Sequence, residues 1–488
     1  MPPPPGIQPP ASDIVTLSLI SHTNAGKTTL ARTLLRQDVG EVRDSAHVTL
    51  FNESYKLLEH DARLLRLWDT PGFGDSARLL KRLKREKNPI FWFISQTWDR
   101  LTDKPLWCSQ QALKNVREEA DVVLYLVNAT EPPEVATYIS PEMEILGWVG
   151  KPVLALLNQT GPTQETTVEE SEVQAWREHL QSWPIVKDVI CLDAFARCWV
   201  QEDRLMEALE PLIQEPKTDA FKQLKRAWHQ RNLDVFHQSS RVLAELLTAA
   251  VVDGIEVRGE KLWERIGIAR QELNKEYQNA REELSTRLAD RLVGATNKLI
   301  EIHGLEGESA RRLGQLSQDK FHLPQQIPEA IWSVVGSVAG GAMGGLIADL
   351  KMGGMTFGGG ALLGGIAAGI GAYALIKSYN LVRGGDQRLH WSCEHFREQV
   401  RLAMLTYLAI AHFGRGRGEW EETAEPSHWN HVCGQILEEH DEGIMRLWKS
   451  GVESSAMPDV VSKSAHALIH DCLSCVLVRL YPSAQLTE

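Results

Sequence analysis

An apolar, β-branched run at residues 14–20 leads directly into a short polar loop, residues 21–28, and then into a helical stretch, residues 29–36. A strand, a loop and a helix in this order form the setting in which backbone N–H groups and a helix N-terminus bind a phosphate. Lys27 is placed to reach the β- and γ-phosphates of a nucleotide, and Thr28 to offer its hydroxyl to Mg²⁺. Such loops usually begin with glycine, but this one begins with Ser21, whose side chain restricts the backbone angles that glycine accepts.

A second motif lies some forty residues further along the chain. A strand is predicted at residues 64–68, and it is followed by the sequence Asp-Thr-Pro-Gly, from Asp69 to Gly72. An aspartate at the end of a strand can hold Mg²⁺ through water, and the N–H of Gly72 can meet the γ-phosphate. Between the two motifs, the polar connection 40–50 contains Thr49, which is placed to close over the metal and the γ-phosphate and to let go after hydrolysis.

Strand and helix patterns then alternate as far as residue 213. Strands are predicted at residues 122–127 and 153–157, which are apolar runs typical of buried parallel strands, and at residues 186–192. The predicted helices cover residues 141–149, 168–180 and 202–213. Such alternation predicts a doubly wound α/β domain with a mainly parallel sheet. It places the ligand at the carboxyl ends of the strands.

Together these motifs resemble the Era-like bacterial P-loop GTPases. The loop sequence from Asn24 to Thr28 matches their N-x-G-K-[ST] pattern, and the sequence from Asp69 to Gly72 matches their D-T-P-G switch motif. The stretch 40–44, followed by Thr49, is similar to their first switch. The resemblance covers residues 13–215, and the whole chain is similar to bacterial members that have an uncharacterised helical C-terminal region.

The resemblance implies a domain that binds GTP or GDP together with Mg²⁺. Its nucleotide contacts in the loop would come from Asn24, Ala25, Gly26, Lys27, Thr28 and Thr29. Its metal contacts would come from Thr28, Thr49 and Asp69, and its residues for hydrolysis would be Lys27, Thr49 and Gly72.

The base-reading motif departs from that of the family. Where N-K-x-D is expected after the fifth strand, the chain has Asn-Gln-Thr-Gly, beginning at Asn158. Asn158 and Gln159 are still expected at the base, but Gly161 has no carboxylate to accept from guanine N1 and N2. Losing a bidentate contact costs about 1–3 kcal/mol by analogy with base reading elsewhere. Asp193 and Ala194 stand in place of the family's S-A-K loop, where the Ala194 N–H would donate to the base oxygen.

Hydrolysis is expected to be slow. Phe73 follows Gly72 at the position where Ras-like proteins place a water-orienting glutamine, and proteins resembling Era also have an apolar residue there. In several of these proteins the loop asparagine, here Asn24, helps to bind K⁺ in place of an arginine finger. The resemblance therefore implies turnover that K⁺ or a partner stimulates.

Residues 76–110 are longer than an ordinary second switch. They combine a basic run at residues 81–87 with aromatic side chains at 91–93 and 98. This combination could contact a membrane or RNA. We favour an enlarged switch helix that has one solvated face and a core-packed end.

The C-terminal half has helical patterning on both sides of a glycine-rich segment. Residues 216–327 and 379–488 are predicted to be amphipathic helical regions, because apolar side chains recur at spacings of three and four. Residues 328–378 are predicted to form a glycine-rich hydrophobic helical hairpin, and residues 331–376 contain 14 of the chain's 37 glycines.

Two interpretations of this segment remain open. Its two apolar stretches are each about 20 residues long, enough to cover the ~30 Å core of a bilayer. The segment could therefore be a hairpin inserted in a membrane, with both ends in the cytosol. It could equally be a pair of helices buried within the protein and packed closely through glycines such as Gly336 and Gly340.

Near the C-terminus, Cys472 and Cys475 lie three residues apart, with His466 and His470 on the same predicted helix. Helical spacing permits a metal or redox site. Because the surroundings are apolar, packed thiols are the interpretation that we favour.

Composition limits the class of protein. With 488 residues, 43% of them hydrophobic, the chain has enough apolar material for about two or three domains. The net charge of −12 argues against bulk binding of nucleic acid, and seven cysteines without a disulfide spacing indicate a reducing compartment. Residues 1–12 are expected to be a disordered proline-rich tail rather than a signal peptide. The expected location is the bacterial cytoplasm, or the cytoplasmic face of the inner membrane if residues 331–376 insert.

Three functions fit these observations. The first is a GTPase switch that couples its switch loops to the helical half, with or without a membrane. The second is an interaction scaffold that a nucleotide stabilises and that turns over little. The third is an RNA-binding assembly factor, against which the acidic balance counts. Each is compatible with a homo-oligomer or a protein partner bound through the helical half.

Overall fold

A computed structural model of the chain describes residues 10–23, 25–36, 52–95, 104–158, 166–192, 198–256, 270–305, 381–383, 388–412, 427–452, 458–482 and 484–486. These residues fall into two units, and the division lies between Leu233 and Asp234. The predicted glycine-rich hairpin at 328–378 and most of the predicted proline-rich tail lie outside the described residues.

The first unit is built on one sheet with the strand order β2-β3-β1-β4-β5-β6. Its strands are β1 (Ile14–Ser21), β2 (Glu53–His60), β3 (Arg63–Asp69), β4 (Val122–Asn128), β5 (Val153–Asn158) and β6 (Val186–Cys191). Strands β2 and β3 pair antiparallel, and all other neighbours pair parallel. This is the mainly parallel, doubly wound α/β fold that the sequence predicted.

Helices cover both faces of this sheet. They are α1 (Lys27–Leu35), α2 (Ser76–Leu83), α3 (Pro89–Ser95), α4 (Lys104–Glu118), α5 (Ile139–Val149), α6 (Thr166–Leu180), α7 (Trp199–Leu209) and the first part of α8 (Thr218–Val252). One core lies between the sheet and α2 to α6, and the other between the sheet and α1, α7 and α8. Tyr125 of β4 belongs to the first core and its neighbours Leu124 and Leu126 to the second. Both faces are buried, which explains why the central strands β4 and β5 are nearly continuous apolar runs.

Two parts of this unit differ from the sequence predictions. Strand β2 was not predicted, because it lies at the edge of the sheet and most of its side chains are exposed, with Leu57 buried. Residues 76–110 form α2, α3 and the start of α4 rather than one enlarged helix. Of the aromatic side chains in α3, Phe93 is fully buried and Phe91 is exposed.

The second unit is mostly helical, as predicted. It contains the remainder of α8 together with α9 (Arg270–Ile302), α10 (Cys393–Ala411), α11 (Ser427–Glu439), α12 (Asp441–Val452) and α13 (Pro458–Leu480). Helix α10 packs against α11, α12 and α13. A small antiparallel sheet joins β7 (Ile255–Glu256), β9 (Arg388–Trp391) and β8 (Leu381–Arg383) in that order. None of the helices within the described ranges combines the length and the apolar character needed to cross a membrane.

Candidate nucleotide-binding site

The connection from β1 to α1 has the backbone of a phosphate-binding loop. Gly26 has a φ angle of +88°, a left-handed conformation that favours glycine, and α1 begins at the next residue. The N–H groups in the first turn of a helix have no intrahelical partners and carry a partial positive charge. The loop therefore ends in a place where an anion can bind.

Ser21 fits the position where glycine was expected. It continues strand β1, and its backbone does not adopt a positive φ angle, so a side chain is tolerated. Its carbonyl accepts from the Phe73 N–H at 2.9 Å. Its hydroxyl donates to the His22 carbonyl at 2.5 Å and accepts from Lys27 Nζ at 2.9 Å. Ser21 thus makes hydrogen bonds within the loop that glycine could not make.

Lys27 is held inside the loop with its ammonium buried. Burial lowers its pKa below the ordinary value, while the nearby carboxylates of Asp69 and Glu142 oppose that effect. A cation in so little water interacts strongly with any anion placed beside it. Lys27 can therefore neutralise phosphate oxygens brought into the loop.

Thr28 and Asp69 form the part of the site that fits Mg²⁺. The Thr28 hydroxyl donates to Asp69 Oδ2 at 2.5 Å, and the carboxylate is 1% exposed. Its other oxygen, Oδ1, is buried and has no hydrogen-bond partner. Burial raises the pKa of Asp69 to about 6. Oxygen ligands are what Mg²⁺ requires, and a cation here would satisfy the orphaned oxygen and favour the ionised carboxylate.

The motif from Asp69 to Gly72 lies close to the phosphate-binding loop. The Thr70 hydroxyl donates to the Leu19 carbonyl at 2.6 Å, which fixes the motif to β1. A Cβ atom added at Gly72 would lie 3.1 Å from Lys27 Nζ and 3.1 Å from the Cα of Thr23. A side chain at this position would force Lys27 or the loop to give by a few tenths of an ångström, so glycine suits this close approach.

Asn158 connects the end of β5 to the same loop. Its side chain is completely buried, and its Nδ2 donates to the Ala25 carbonyl at 2.8 Å. This bond spans 133 residues of sequence. The bond therefore ties the carboxyl end of β5 to the phosphate-binding loop.

A buried acid behind the loop was missed by the sequence analysis. Glu142, in α5, is fully buried, and His22 Nδ1 lies 2.8 Å from its Oε1. The hydroxyl of Tyr125, in β4, donates to Oε2 at 2.6 Å. The His22 ring also stacks on Tyr138 with a centroid distance of 4.5 Å. A signal existed in the sequence, since helix 141–149 contains acidic residues among apolar ones, but it did not show which acid faces the core.

The structure brings together the predicted residues that it describes. The loop residues Ala25, Gly26, Lys27, Thr28 and Thr29 meet Asp69, Gly72 and Asn158 at the carboxyl ends of β1, β3 and β5. Asn24, Thr49, Gln159, Asp193 and Ala194 lie outside the described residues, so their assigned roles stay predictions.

Family comparisons agree with this geometry. Residues 16–159 match the family described as 50S ribosome-binding GTPase, and residues 186–458 match the family described as domain of unknown function (DUF3482). A comparison with curated proteins gave no match.

Solved structures with some similarity include two of Era and one of NFeoB. A variant of Era from Aquifex aeolicus bound to GDP·AlF4⁻ is 17% identical over 51% of this chain and 69% of that chain, with a TM-score of 0.30. Era in complex with MgGDPNP and nucleotides 1506–1542 of 16S ribosomal RNA is 16% identical over 56% of this chain and 89% of that chain, with a TM-score of 0.30. NFeoB from S. thermophilus bound to mGMPPNP is 17% identical over 47% of this chain and 70% of that chain, with a TM-score of 0.24.

These structural scores are low, and the assignment rests on the two family matches. The first match covers the loop, the D-T-P-G motif and Asn158, and it confirms the P-loop GTPase domain predicted from the sequence. The second covers more than half of the chain. The protein therefore belongs to the DUF3482 family, and its N-terminal part is a GTP-binding P-loop GTPase domain.

Proposed function

We propose that this protein is a slow GTPase whose nucleotide state is transmitted to the helical half through α1 and α8. One contact supports this proposal above all others. Helix α1 begins at Lys27 in the nucleotide loop, and at its other end Arg36 Nη2 donates to Asn232 Oδ1 of α8 at 2.6 Å. Both residues belong to the first unit, while α8 continues past Leu233 into the second.

The contact is embedded in buried polar groups. Asn232 is fully buried and its Nδ2 lies 3.4 Å from Glu202 Oε2, and the Glu202 carboxylate lies 3.7 Å from Arg36. Such a network is satisfied in few arrangements, because a buried polar group that loses its partner is costly. A shift of α1 on nucleotide exchange would therefore be passed on to α8.

A second contact joins α8 to the edge of the sheet. The guanidinium of Arg231 stacks 4.0 Å above the ring of Trp228, and its Nη1 lies 3.4 Å from the Leu57 carbonyl of β2. Strand β2 directly follows the segment that contains Thr49. Helix α8 is thus in contact with elements on both sides of the predicted first switch, residues 40–50.

Slow turnover follows from Phe73. Its side chain is completely buried, and its backbone N–H donates a hydrogen bond to the Ser21 carbonyl. An apolar side chain fixed in a core cannot orient an attacking water as glutamine does. We infer that hydrolysis depends on K⁺ held with the help of Asn24, or on a partner.

The other residues of the site are assigned to the metal, the phosphates and the base. Bound Mg²⁺ would neutralise charge on the β- and γ-phosphates, held by Thr28 and Asp69 with Thr49 as a further ligand. Lys27 and the Gly72 N–H would stabilise the γ-phosphate. The other nucleotide contacts are proposed to come from Asn24, Ala25, Gly26 and Thr29 at the phosphates, and from Asn158, Gln159, Asp193 and Ala194 at the base.

We extend the proposal to a membrane through residues 331–376. Residues 331–350 include one charged side chain, Asp349, and residues 355–376 include none. Flotation of the full-length protein with liposomes of anionic and neutral lipid tests this extension. Recovery of all the protein at the bottom of the gradient would contradict membrane binding. It would favour the alternative, a glycine-packed pair of helices buried within the protein.

The nucleotide part is tested by binding and turnover with GTP, ATP and XTP in K⁺ and Na⁺ buffers. We expect GTP to be preferred, turnover to be faster in K⁺, and Lys27→Ala to abolish binding. Equal rates of GTP hydrolysis in the two salts would contradict stimulation by K⁺. Nucleotide binding without turnover under any condition would favour the scaffold function.

The coupling is tested by hydrogen exchange of the full-length protein bound to GDP or to a non-hydrolysable GTP analogue. We expect peptides from α10 to α13 to exchange differently in the two states. Asn232→Ala should remove that difference while GTP still binds, whereas Arg63→Ala, on the β2–β3 hairpin, should preserve it. Identical exchange of wild type in both states would contradict coupling.

A further inference from the structure

Three potential ligands for a metal meet at the turn between α11 and α12. His440 is the residue that separates the two helices, and Asp471 and Cys475 lie one turn apart on α13. Their ligand atoms all lie within 4.8 Å of one another. These residues belong to the second unit.

The hydrogen bonds of His440 show which of its nitrogens is available. Nδ1 lies 2.9 Å from the Ile436 carbonyl, which can only accept, so Nδ1 must have the proton. In a neutral imidazole Nε2 then presents a lone pair, and it faces Asp471 Oδ2 at 3.0 Å. Two acceptors at this distance require a shared proton or a cation between them. In metal-binding histidines the ring nitrogen that does not bind the metal commonly donates to a backbone carbonyl, which fixes the orientation of the ring.

Cys475 brings a sulfur atom within 4.8 Å of the ligand atoms of His440 and Asp471. It is half-buried, whereas its neighbour Cys472 is fully buried and packs in the core. Burial, together with Asp471 and Glu439, raises the pKa of the Cys475 thiol. An isolated thiol here would remain protonated, and a bound cation would reverse that preference. Glu439 is itself engaged by Arg479 at 3.1 Å.

The combination of donors selects the class of ion. Imidazole nitrogen, carboxylate oxygen and thiolate sulfur together favour a borderline-soft divalent ion such as Zn²⁺ over Mg²⁺ or Ca²⁺. Zinc bonds of about 2.0–2.3 Å require the three side chains to close in by rotation. Asp471 is 67% exposed, so the site is open to an incoming ion and to water as a fourth ligand.

We propose that His440, Asp471 and Cys475 form a site for Zn²⁺ that links the turn between α11 and α12 to α13. The ion would cross-link two parts of the helical half that are separated by 31 residues of sequence. This metal site departs from the packed-thiol interpretation favoured by the sequence, because His440 was not part of that pattern and Cys472 does not take part.

Cobalt titration of the metal-free, full-length protein tests the proposal, because Co²⁺ bound to a thiolate gives a charge-transfer absorption in the near ultraviolet. We expect one Co²⁺ per chain with this absorption, and its loss when Zn²⁺ is added. Cys475→Ser should abolish the absorption, and His440→Ala should weaken Zn²⁺ binding by about tenfold or more. Cys393→Ser, a half-buried cysteine in α10, should leave both unchanged.

Several results would overturn the site. No thiolate absorption, or an absorption that persists in Cys475→Ser, would show that His440 and Asp471 form a protonated ion pair without metal. Thermal unfolding with and without Zn²⁺ provides a second measurement. Zn²⁺ should raise the melting temperature of wild type and of Cys393→Ser, but not of Cys475→Ser. An equal rise in all three would contradict the proposal.

Discussion

His22 Nδ1 lies 2.8 Å from Glu142 Oε1, and this contact attaches the second residue of the nucleotide loop to a fully buried carboxylate of α5. The other carboxylate oxygen accepts from Tyr125 at 2.6 Å. Burial and the adjacent carboxylate raise the pKa of Tyr125 well above its ordinary range, so its hydroxyl remains a donor. The loop is therefore held from behind by the side chains of Glu142 and Tyr125.

Glu142→Gln is expected to weaken GTP binding about tenfold, at the lower end of the loss for a hydrogen bond to a charged group. The amide offers one acceptor and one donor where the carboxylate offers two acceptors, so the hydrogen bond to His22 or the one to Tyr125 must reverse its direction or be lost. Calorimetric titration with GTP measures the change. Glu144→Gln, at a partly exposed residue of the same helix that pairs with Lys84, is the matched control. Equal affinities for the two variants would contradict a positioning role.

Gly72→Ala is expected to reduce GTP binding by more than about tenfold. The added Cβ would lie 3.1 Å from Lys27 Nζ and 3.3 Å from the Cγ2 of Thr23, tighter than ordinary contacts, so the ammonium or the loop must move. Gly147→Ala is the control, because a Cβ there meets nothing within 4 Å, and alanine stabilises a helix by about 1 kcal/mol. Titration with a fluorescent GTP analogue compares the two. Unchanged affinity in Gly72→Ala would show that the loop yields freely.

Local sequence was enough to predict the centre of the α/β unit. The runs that became β4 and β5 are apolar on both faces, and β1 is apolar apart from Thr16, Ser18 and Ser21. This pattern has few alternatives once a loop such as 21–28 follows β1. Edge elements were harder. In β2 the buried Leu57 stands among exposed residues, so no alternation indicated a strand. The three helices α2, α3 and α4 depend on tertiary packing against α5, which a local pattern cannot show.

Local sequence also predicted only part of the nucleotide-binding site. Lys27, Thr28 and Asp69 follow from motifs whose residues lie close together in sequence. Glu142 could not be found in this way, because its role depends on a contact with His22 across 120 residues. His440 was missed for a similar reason, since its neighbour Asp471 in α13 lies 31 residues away in sequence.

The helical half is expected to lose stability in mild acid. Burial, followed by Arg241 and His237, lowers the pKa of His466 below the ordinary value of 6.5. Burial, then His237 and His466, does the same for His470, against a small opposing effect of Asp471. The unfolded chain then takes up protons at a higher pH than the folded one. The stabilisation is complete above pH 6.5 and is lost as the pH falls through the folded pKa values.

The measurement is the melting temperature between about pH 7.5 and about pH 5.5. We expect a decline in wild type that is flatter in the double variant His466→Asn and His470→Asn. His431→Asn, an exposed histidine of α11, should decline like wild type. A double variant that follows the wild-type curve would assign the acid sensitivity to other groups.

Asp253 joins α9 to the end of α8, and its substitution is expected to destabilise the second unit. Its side chain is 6% exposed and accepts from Arg287 at 3.0 Å and from Arg291 at 2.5 Å. Asp253→Asn presents an amide N–H₂ to one of these guanidinium groups and removes the charge that both share. Because the arginines are partly exposed and can be rehydrated, we expect a loss of about 1–2 kcal/mol in the free energy of unfolding. Urea unfolding compares this variant with Asp290→Asn, an exposed acid of α9, which should change little. Equal stability of the two variants would mean that this ion-pair cluster contributes nothing to the packing of α9 against α8.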